Sequence, residues 1–201
     1  MSQAPLLGVG NAQVNQPKQV LDPTLLLKKE QWDGICSRRL VEDKYLFCFF
    51  LGYNPQARKL AKAYARKHGL KIVTIPHASS LYVSGGSTWG DVRVWDASPA
   101  EFLSLVKHAD CVFTDSFHAC AFSSVYEKNF FVVHRAGRPG MSGRIYSLLA
   151  LLGCESHFCD TEEKLNLSYL ESLEPVSYAE PKAELETLRE KSFAYLRRNL
   201  F

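Results

Sequence analysis

The sequence lacks the features that mark membrane and secreted proteins. No segment approaches the roughly 18 consecutive apolar residues that a membrane-spanning helix needs. The first residues, MSQAPLLGVGNAQVNQPKQ, contain no basic region followed by a long apolar stretch, so no secretory signal peptide is indicated. We therefore expect a cytoplasmic protein.

Closely spaced cysteine pairs are also missing. The six cysteines include no CxxC pair, and several lie inside apolar runs, where a thiol acts as a small buried hydrophobic group. Structural zinc sites depend on clustered thiolate and imidazole ligands. We expect free thiols in a reducing compartment, no bound metal and no resident cofactor.

Neither sign of charge predominates in the chain. Lys and Arg total 24 against 21 for Asp and Glu, which leaves a formal net charge of +3. There is no basic stripe interleaved with aromatic residues, and this argues against a nucleic-acid partner. A balance this small does not exclude an anionic small molecule.

The length and composition are those of one globular domain with an appendage. With 201 residues, of which 46% are hydrophobic, the chain can bury one substantial core. Residues 1–19 are rich in Gly, Gln, Asn and Pro without sustained periodicity, which predicts a flexible arm or linker. Residues 20–201 are expected to form the domain.

Apolar strands and amphipathic helices alternate along this domain. The run KYLFCFFLGY (44–53) is typical of a strand buried on both faces. A helix follows, with Asn54 as N-cap, Pro55 in its first position and Gly69 at its end. Its basic residues, Arg58 among them, are predicted to form the solvent face. The strand LKIVTIP completes a strand, helix, strand unit.

The same alternation returns further along the chain. Residues 77–90 are long and rich in small residues, so they predict either a functional loop or a disordered excursion. A helix then begins at Ser98, with Glu101 completing a capping box. The strand CVFTD, the helix SFHACAFSSVYEK and the strand NFFVVH follow it. This spacing predicts right-handed βαβ units and hence an α/β, Rossmann-like parallel sheet with helices on both faces.

Three further helices are predicted around these units. Residues Leu25 to Ile35 can form one short helix with Trp32 on its inner face. The segment SGRIYSLLALLG predicts a second, with Ser142 as its cap and Gly153 as its end. The C-terminal PKAELETLREKSFAYLRRNLF predicts an amphipathic helix that folds back over the sheet.

A histidine stands where a buried strand turns into a helix. In open parallel sheets, ligands bind beyond the carboxyl ends of the strands, where helix N-termini offer free N–H groups and partial positive charge. Ser116 and His118 fall at that place, and together they suit a phosphate or a carboxylate, with His118 as a proton donor. The alternative is that Ser116 or Asp115 caps the helix and that His118 is a satisfied histidine under the sheet.

A basic cluster follows the next strand. The segment VVHRAGRPGMSGRI contains His134, Arg135, Arg138 and Arg144 within a glycine-containing loop. If the two strands are neighbours, these arginines share one end of the sheet with His118, which suits a doubly anionic ligand. The alternative is that each arginine is a solvated surface charge.

These segments together resemble a known family. The run SPAEFLSLVKHADCVFTDSFHACAFSSVYEKNFFVV is similar to the signature of the polysaccharide pyruvyl transferases, and SGRIYSLLALLG resembles that family's Ser-Arg-Ile segment. The segment VLDPTLLL with the following Trp32 resembles the entry into the family's C-terminal half. The resemblance runs from about Val20 to Gly153. It implies the C-terminal Rossmann-like domain of a glycosyltransferase-B fold, with the N-terminal acceptor-side domain absent from this chain.

The resemblance also implies a reaction. Members of the family transfer the pyruvyl group of phosphoenolpyruvate to two hydroxyls of a sugar, which forms a cyclic ketal and releases phosphate, in bacterial cell-envelope and exopolysaccharide biosynthesis. By this resemblance His118 binds the donor and acts as acid or base, while Ser116 and the helix amides contact anionic oxygens. Candidates for the donor's phosphate or carboxylate are Arg135, Arg138 and Arg144.

Further expectations concern partners and activity. The implied acceptor is a sugar or a lipid-linked oligosaccharide, and the latter suggests peripheral association with the inner face of the membrane. Without the N-terminal half, little turnover is expected from this chain alone. Ala119-Cys120 stands where many relatives have Gly-Thr, which adds a methyl group at the expected ligand site. Two other functions remain open: a glycosyltransferase that uses a nucleotide sugar, and a non-catalytic Rossmann-like binding module.

Overall fold

A computed structural model describes residues 20–76, 88–135 and 142–200 of the chain. In these residues six parallel strands form one sheet in the order β3-β2-β1-β4-β5-β6. The strands are β1 (Tyr45–Phe49), β2 (Lys71–Thr74), β3 (Val92–Arg93), β4 (Cys111–Thr114), β5 (Phe130–Val133) and β6 (Phe158–Cys159). The helices are α1 (Pro23–Leu26), α2 (Lys29–Asp33), α3 (Pro55–Lys67), α4 (Pro99–Lys107), α5 (Phe117–Val125), α6 (Gly143–Leu151), α7 (Leu167–Ser172) and α8 (Ala179–Leu200), with a 3₁₀ turn at Glu155–His157. The predicted α/β Rossmann-like sheet is confirmed.

The strand order places the change of direction between β1 and β4. From β1 the chain winds outward through β2 to β3, and it then returns to β4 on the other side of β1 before winding outward again. In register, Phe47 of β1 lies opposite Val73 of β2 and Val112 of β4. Open sheets of this kind bind ligands at the carboxyl ends of the two strands that flank such a point.

Side chains alternate between two packed layers. Tyr45 and Phe47 of β1 belong to a core on one side of the sheet that also contains Phe122 of α5, and we call this side the α5 face. Leu46 and Cys48 belong to the core on the other side, the α3 face. Because both layers cover the central strands, β1 reads as a continuous apolar run rather than an alternating one.

Local signals start and stop helix α3 as predicted. The Asn54 side chain accepts a hydrogen bond from Ala57 N at 3.0 Å, and Pro55 occupies the first helical position. Gly69, just beyond the helix, has a φ of +63°, which a glycine adopts without a Cβ clash. One detail of the prediction was wrong: Arg58 is half-buried rather than part of the solvent face.

The predicted helix from Leu25 to Ile35 is two short helices, so that prediction was wrong. Lys28, between α1 and α2, is extended, and its N–H donates to the Gln31 side chain at 2.9 Å. This bond starts a second helix instead of continuing the first. Trp32 lies on the inner side as predicted, because its indole N–H donates to Thr24 O at 3.1 Å and its ring packs edge-on against the core.

Strand β1 is shorter than the predicted 44–53, again because a side chain accepts hydrogen bonds from the backbone. Beyond Phe49, the N–H groups of Leu51 and Gly52 donate to the carboxylate of Asp115 rather than to a neighbouring strand. The hydrogen bonding of β1 to its neighbouring strands therefore ends where the backbone N–H groups donate to this carboxylate instead.

Three expectations lie wholly or mostly outside the described residues: the flexible arm at 1–19, the position of Arg138 and the loop at 77–90. Across 20–76, 88–135 and 142–200, no helix combines the length and the apolar character needed to span a bilayer. The same ranges contain no group of three or more His, Cys, Asp or Glu side chains placed to hold a metal ion.

Candidate functional site

The candidate site lies where β4 turns into α5, and we call residues 115–118 the α5 entrance. Thr114, the last residue of β4, ties the two central strands together: its hydroxyl donates to Phe49 O and accepts from Ser116 N, the latter at 3.0 Å. The α5 entrance is thus held against the end of β1 at the change of strand direction. This is the place at which a parallel sheet binds ligands.

Asp115 is a buried anchor. Its side chain is 1% exposed, and the carboxylate accepts hydrogen bonds from Leu51 N at 2.7 Å and Gly52 N at 2.9 Å. Burial raises the pKa of Asp115, although these two N–H donors and the Arg135 charge act in the opposite direction. The carboxylate holds the loop after β1 in place and does not cap α5.

Ser116 occupies the N-cap position of α5 and is buried. Its side chain makes no capping hydrogen bond, and the first turn of α5 contains no acidic residue. A helix start of this kind keeps the partial positive charge of its first amides available to an anion. The alternative in which Ser116 or Asp115 simply caps the helix is therefore wrong.

His118 is exposed on the first turn of α5. Its ring lies 5.5 Å from the Phe117 ring, in an edge-on arrangement. The alternative of a satisfied histidine under the sheet is wrong, because the imidazole faces outward. An exposed imidazole at a helix N-terminus can contact a ligand and exchange a proton with it.

Arg135 lies beside the α5 entrance because β5 is the neighbour of β4. Its Nη2 donates to the Asp115 carbonyl at 3.4 Å, and its Nε lies 3.9 Å from the Asp115 carboxylate. The Arg135 side chain is 20% exposed, so it presents only part of its surface.

Arg144 reaches the same place from α6. Its guanidinium carbon lies 3.9 Å from the centroid of the Phe117 ring, and its Nη2 forms an ion pair with Asp22. The side chain remains 60% exposed, which leaves donors facing solvent. The structure thus brings Ser116, His118, Arg135 and Arg144 together around one helix start, whereas Arg138 lies outside the described residues.

Asp22 is a site residue that the sequence reasoning missed. It opposes Arg144 and caps α1 through Thr24 N at 3.1 Å. Burial alone would raise the pKa of Asp22, but the Thr24 hydrogen bonds and the charges of Arg144 and His118 outweigh it and lower that pKa. The segment VLDPTLLL contained a usable signal, since an Asp before a Pro is a good helix cap, but its pairing with Arg144 is purely tertiary.

An open cleft adjoins the α5 entrance. Its volume is about 480 Å³, within the range of ligand sites in proteins. Phe117, Arg144 and Asp22 line it, together with apolar side chains of α1, α6 and α8 and with Lys191. A ligand at the α5 entrance has room to extend into this space.

Ser142, predicted as the cap of α6, occupies the cap position without a capping bond. Its hydroxyl instead lies 3.2 Å from Nδ1 of His134, the residue after β5. The start of α6 is thereby tied to the end of β5, which positions Arg144 relative to the sheet.

The arrangement is suited to holding an anionic ligand and moving one proton. A helix start and two arginines, each paired with a carboxylate, offer charge and N–H donors. His118 is the exposed imidazole among them, a group that can donate and accept a proton.

Comparison with known proteins yields one assignment. A family model described as polysaccharide pyruvyl transferase matches residues 5–135, more than half of the chain. The match includes the α5 entrance and Arg135, and it ends before Arg144. No curated protein matches the chain.

Proposed function

This chain belongs to the polysaccharide pyruvyl transferase family, and we propose that it takes part in transferring the pyruvyl group of phosphoenolpyruvate to two hydroxyls of a sugar. The observation that carries the proposal is the α5 entrance, where an exposed histidine and two arginines surround an uncapped helix start. Phosphoenolpyruvate bears a phosphate and a carboxylate, so it requires two sets of donors in one place. The site residues supply them.

The proposed reaction begins with addition to the enol double bond. His118 donates a proton to the methylene carbon while a sugar oxygen bonds to the carbon that carries phosphate. The attacking hydroxyl releases its proton to solvent as its oxygen bonds, and the phosphate stays attached in this intermediate. His118 is thereby left neutral and can act as a base.

The second step completes the ketal. A second sugar oxygen bonds to the same carbon, the C–O bond to phosphate breaks, and phosphate leaves with the electron pair. The proton of the second hydroxyl goes to His118, which restores its charged form. Ser116, the first amides of α5 and the arginines hold the anionic oxygens throughout, which stabilises the charge that develops on them.

Arg144 is proposed to exchange its partner when the donor binds, while Arg135 stays beside Asp115. In the structure Arg144 faces Asp22 and Arg135 faces Asp115. Arg144 is the more exposed and is the proposed contact of the donor phosphate, while Arg135 is proposed to contact the carboxylate from beside the Asp115 anchor. Arg138 is proposed as a further contact on the basis of its sequence position.

The acceptor and the cellular setting are part of the same proposal. We infer a sugar or lipid-linked oligosaccharide acceptor, an N-terminal acceptor-side domain as partner, and action on bacterial cell-surface polysaccharide in the cytoplasm at the inner face of the membrane. No cofactor takes part in the proposed reaction. The chain by itself is expected to bind the donor but to show little turnover.

The test is a calorimetric titration of phosphoenolpyruvate against the wild-type chain and two variants. We expect saturable binding that weakens at least tenfold in His118→Ala. His68→Ala is the matched control, because His68 is an exposed histidine paired with Glu171 at the far end of α3. Its affinity for phosphoenolpyruvate should equal that of the wild type.

A comparator ligand, a UDP-sugar, tests the remaining functions. Binding of a UDP-sugar in preference to phosphoenolpyruvate would replace pyruvyl transfer by glycosyl transfer. Absence of binding to either would leave two explanations, a non-catalytic module and a donor site that needs the N-terminal half, and restoring that half separates them.

A further inference from the structure

A second cationic centre lies on α3, the helix that packs on the other face of the sheet from α5. Arg58 is near the start of α3, and its guanidinium carbon lies 5.0 Å from the centroid of the Tyr53 ring and 5.2 Å from that of the Trp89 ring. Trp89 packs in turn on Phe50, with centroids 5.9 Å apart. We call Tyr53, Arg58 and Trp89 the Arg58 sandwich.

The donors of the Arg58 sandwich are not used within the described part of the chain. Arg58 Nε and Trp89 Nε1 are both buried and find no hydrogen-bond acceptor there. Trp89 as a whole is 8% exposed. Buried N–H donors are rarely left without an acceptor, and two of them beside one guanidinium are accounted for by a bound water, ion or ligand group.

The charge of Arg58 is also uncompensated by a carboxylate in the described ranges. Burial lowers the pKa of Arg58, and the neighbours that act against this are the Tyr53 hydroxyl and the Cys48 thiol rather than an acidic side chain. The two ring faces stabilise the cation without neutralising it. A group that completes this centre must bring both hydrogen-bond acceptors and negative charge.

We propose that the Arg58 sandwich is a binding site for an oxyanion, the phosphoryl or carboxylate group of a ligand, separate from the α5 entrance. Its oxygens would accept from Arg58 Nε and from Trp89 Nε1 while Tyr53 covers the guanidinium. Tyr53 is 36% exposed, so the ligand would approach the guanidinium from the side of Tyr53. The site does not depend on the proposed pyruvyl transfer, because α3 and α5 pack on different faces of the sheet.

Trp89 is itself the reporter for the test. The chain has three tryptophans, so a Trp32→Phe, Trp95→Phe background leaves the Trp89 indole as the single source of tryptophan fluorescence and the single indole N–H resonance. Inorganic phosphate and D-glucuronate are titrated at constant ionic strength, with D-glucose as the neutral control. We expect a saturable emission change and a downfield shift of the indole proton with one or both oxyanions and none with glucose. A response to phosphate indicates a phosphoryl ligand, and a response to glucuronate indicates a carboxylate ligand.

Variants of α3 assign the response to Arg58. Arg58→Gln should weaken oxyanion binding at least tenfold, and Arg58→Lys should weaken it less, because the charge is kept while the planar fork is lost. Arg66→Gln is the matched control, an exposed arginine on the same helix. Circular dichroism verifies that each variant is folded. If Arg58→Gln does not fold, the shift of the Trp89 indole resonance on oxyanion addition is compared between the background protein and the Arg58→Lys variant, and a weaker response in Arg58→Lys supports the proposal.

Three results would overturn the proposal: no saturable response to either oxyanion, a response that persists in folded Arg58→Gln, or a response that disappears in His118→Ala. The last would place the anion at the α5 entrance. A failure of phosphoenolpyruvate to bind at His118 would leave the Trp89 response intact, so the two proposals fail separately.

Discussion

At the scale of single residues, the candidate site contains two arginine–carboxylate pairs. Each described arginine of the α5 entrance faces a carboxylate, Arg135 that of Asp115 and Arg144 that of Asp22. The two pairs differ in burial. In the first pair the Asp115 side chain is 1% exposed and that of Arg135 is 20% exposed. In the second the Asp22 side chain is 18% exposed and that of Arg144 is 60% exposed. The Asp115 pair therefore serves as a fixed support, whereas the Asp22 pair can open toward a ligand at little cost.

Replacing Asp22 by Asn should reveal the contribution of its charge. Asn still caps α1, so the variant removes mainly the ion pair with Arg144. Because Arg144 is largely exposed and screened by solvent, we expect a loss of about 1 kcal/mol or less in the free energy of unfolding at pH 7. Urea titrations of the wild type and Asp22→Asn measure it.

The pH dependence of this difference has a definite sign. The pKa of Asp22 is lower in the folded protein than the value of about 3.9 in an unfolded chain. Its stabilisation is therefore complete above about pH 4 and is lost as the pH falls through the folded pKa. A gap between wild type and variant that is as large at pH 2.5 as at pH 7 would contradict this assignment. Asp43→Asn, in an exposed pair with Lys71, is the control and should change stability little at either pH.

Residue roles were only partly accessible from the sequence. The position of His118 after a buried strand predicted a site residue at a helix start, because strand-to-helix transitions face the ligand edge of a parallel sheet. The partnership of Asp22 with Arg144 was not predictable, because the two residues are 122 positions apart. Arg58 was assigned to solvent for the same reason, because Trp89, which contacts it, belongs to a distant segment just before β3.

At the scale of elements, helix ends decide where the site residues lie. Asn54 caps α3 through Ala57 N, and its Nδ2 also lies 3.5 Å from the carbonyl of His134, beyond β5. One side chain thus connects the helix after β1 with the end of β5, across the carboxyl edge of the sheet.

Asn54→Ala should destabilise the protein by about 1 kcal/mol, the usual loss on removing an N-cap oxygen. Asn54→Asp keeps an oxygen that accepts from Ala57 N and adds a favourable charge at the helix start, so its stability should stay near that of the wild type. It loses only the contact with His134, which at 3.5 Å is weak. Thermal unfolding followed by circular dichroism compares the three proteins, and equal losses in both variants would show that the His134 contact, rather than the cap, matters.

Element boundaries were predictable where the signal is local. The Asn54-Pro55 start of α3 and the Ser98-Glu101 box of α4 are as expected, because caps and turns depend on a few adjacent residues. The division of Leu25 to Ile35 into two helices was missed although its signal is also local, the Gln31 side chain accepting from the Lys28 N–H. The early end of β1 was missed because its cause, Asp115, is distant in sequence.

At the scale of the whole molecule, five of the six cysteines are sealed in the core. Cys36 is partly exposed, and the others are buried as free thiols. Burial raises the pKa of each of these thiols, that of Cys111 and Cys159 to about 12. Buried and protonated thiols react slowly, because the thiolate is the nucleophile.

A thiol reagent at pH 8 should therefore label one cysteine in the native protein and six in urea. Cys36→Ser should abolish the native reaction and leave five sites in the unfolded chain. The rate at which the remaining five react under native conditions then reports global opening of the sheet. Mass spectrometry identifies the labelled residues, and native labelling of Cys48 or Cys111 at the rate of Cys36 would contradict the packing of β1 and β4.

The sequence by itself determined the alternation of strands and helices, the parallel sheet and the family to which the chain belongs. These depend on periodicity, caps and motifs that are read over short stretches of chain. Only the tertiary structure decided which charges oppose each other at the α5 entrance, where β1 ends, and that Arg58 lies between two aromatic rings. Each of these contacts joins segments that are far apart along the chain, and their pairing is set by sheet order and packing, to which a local pattern contributes no information.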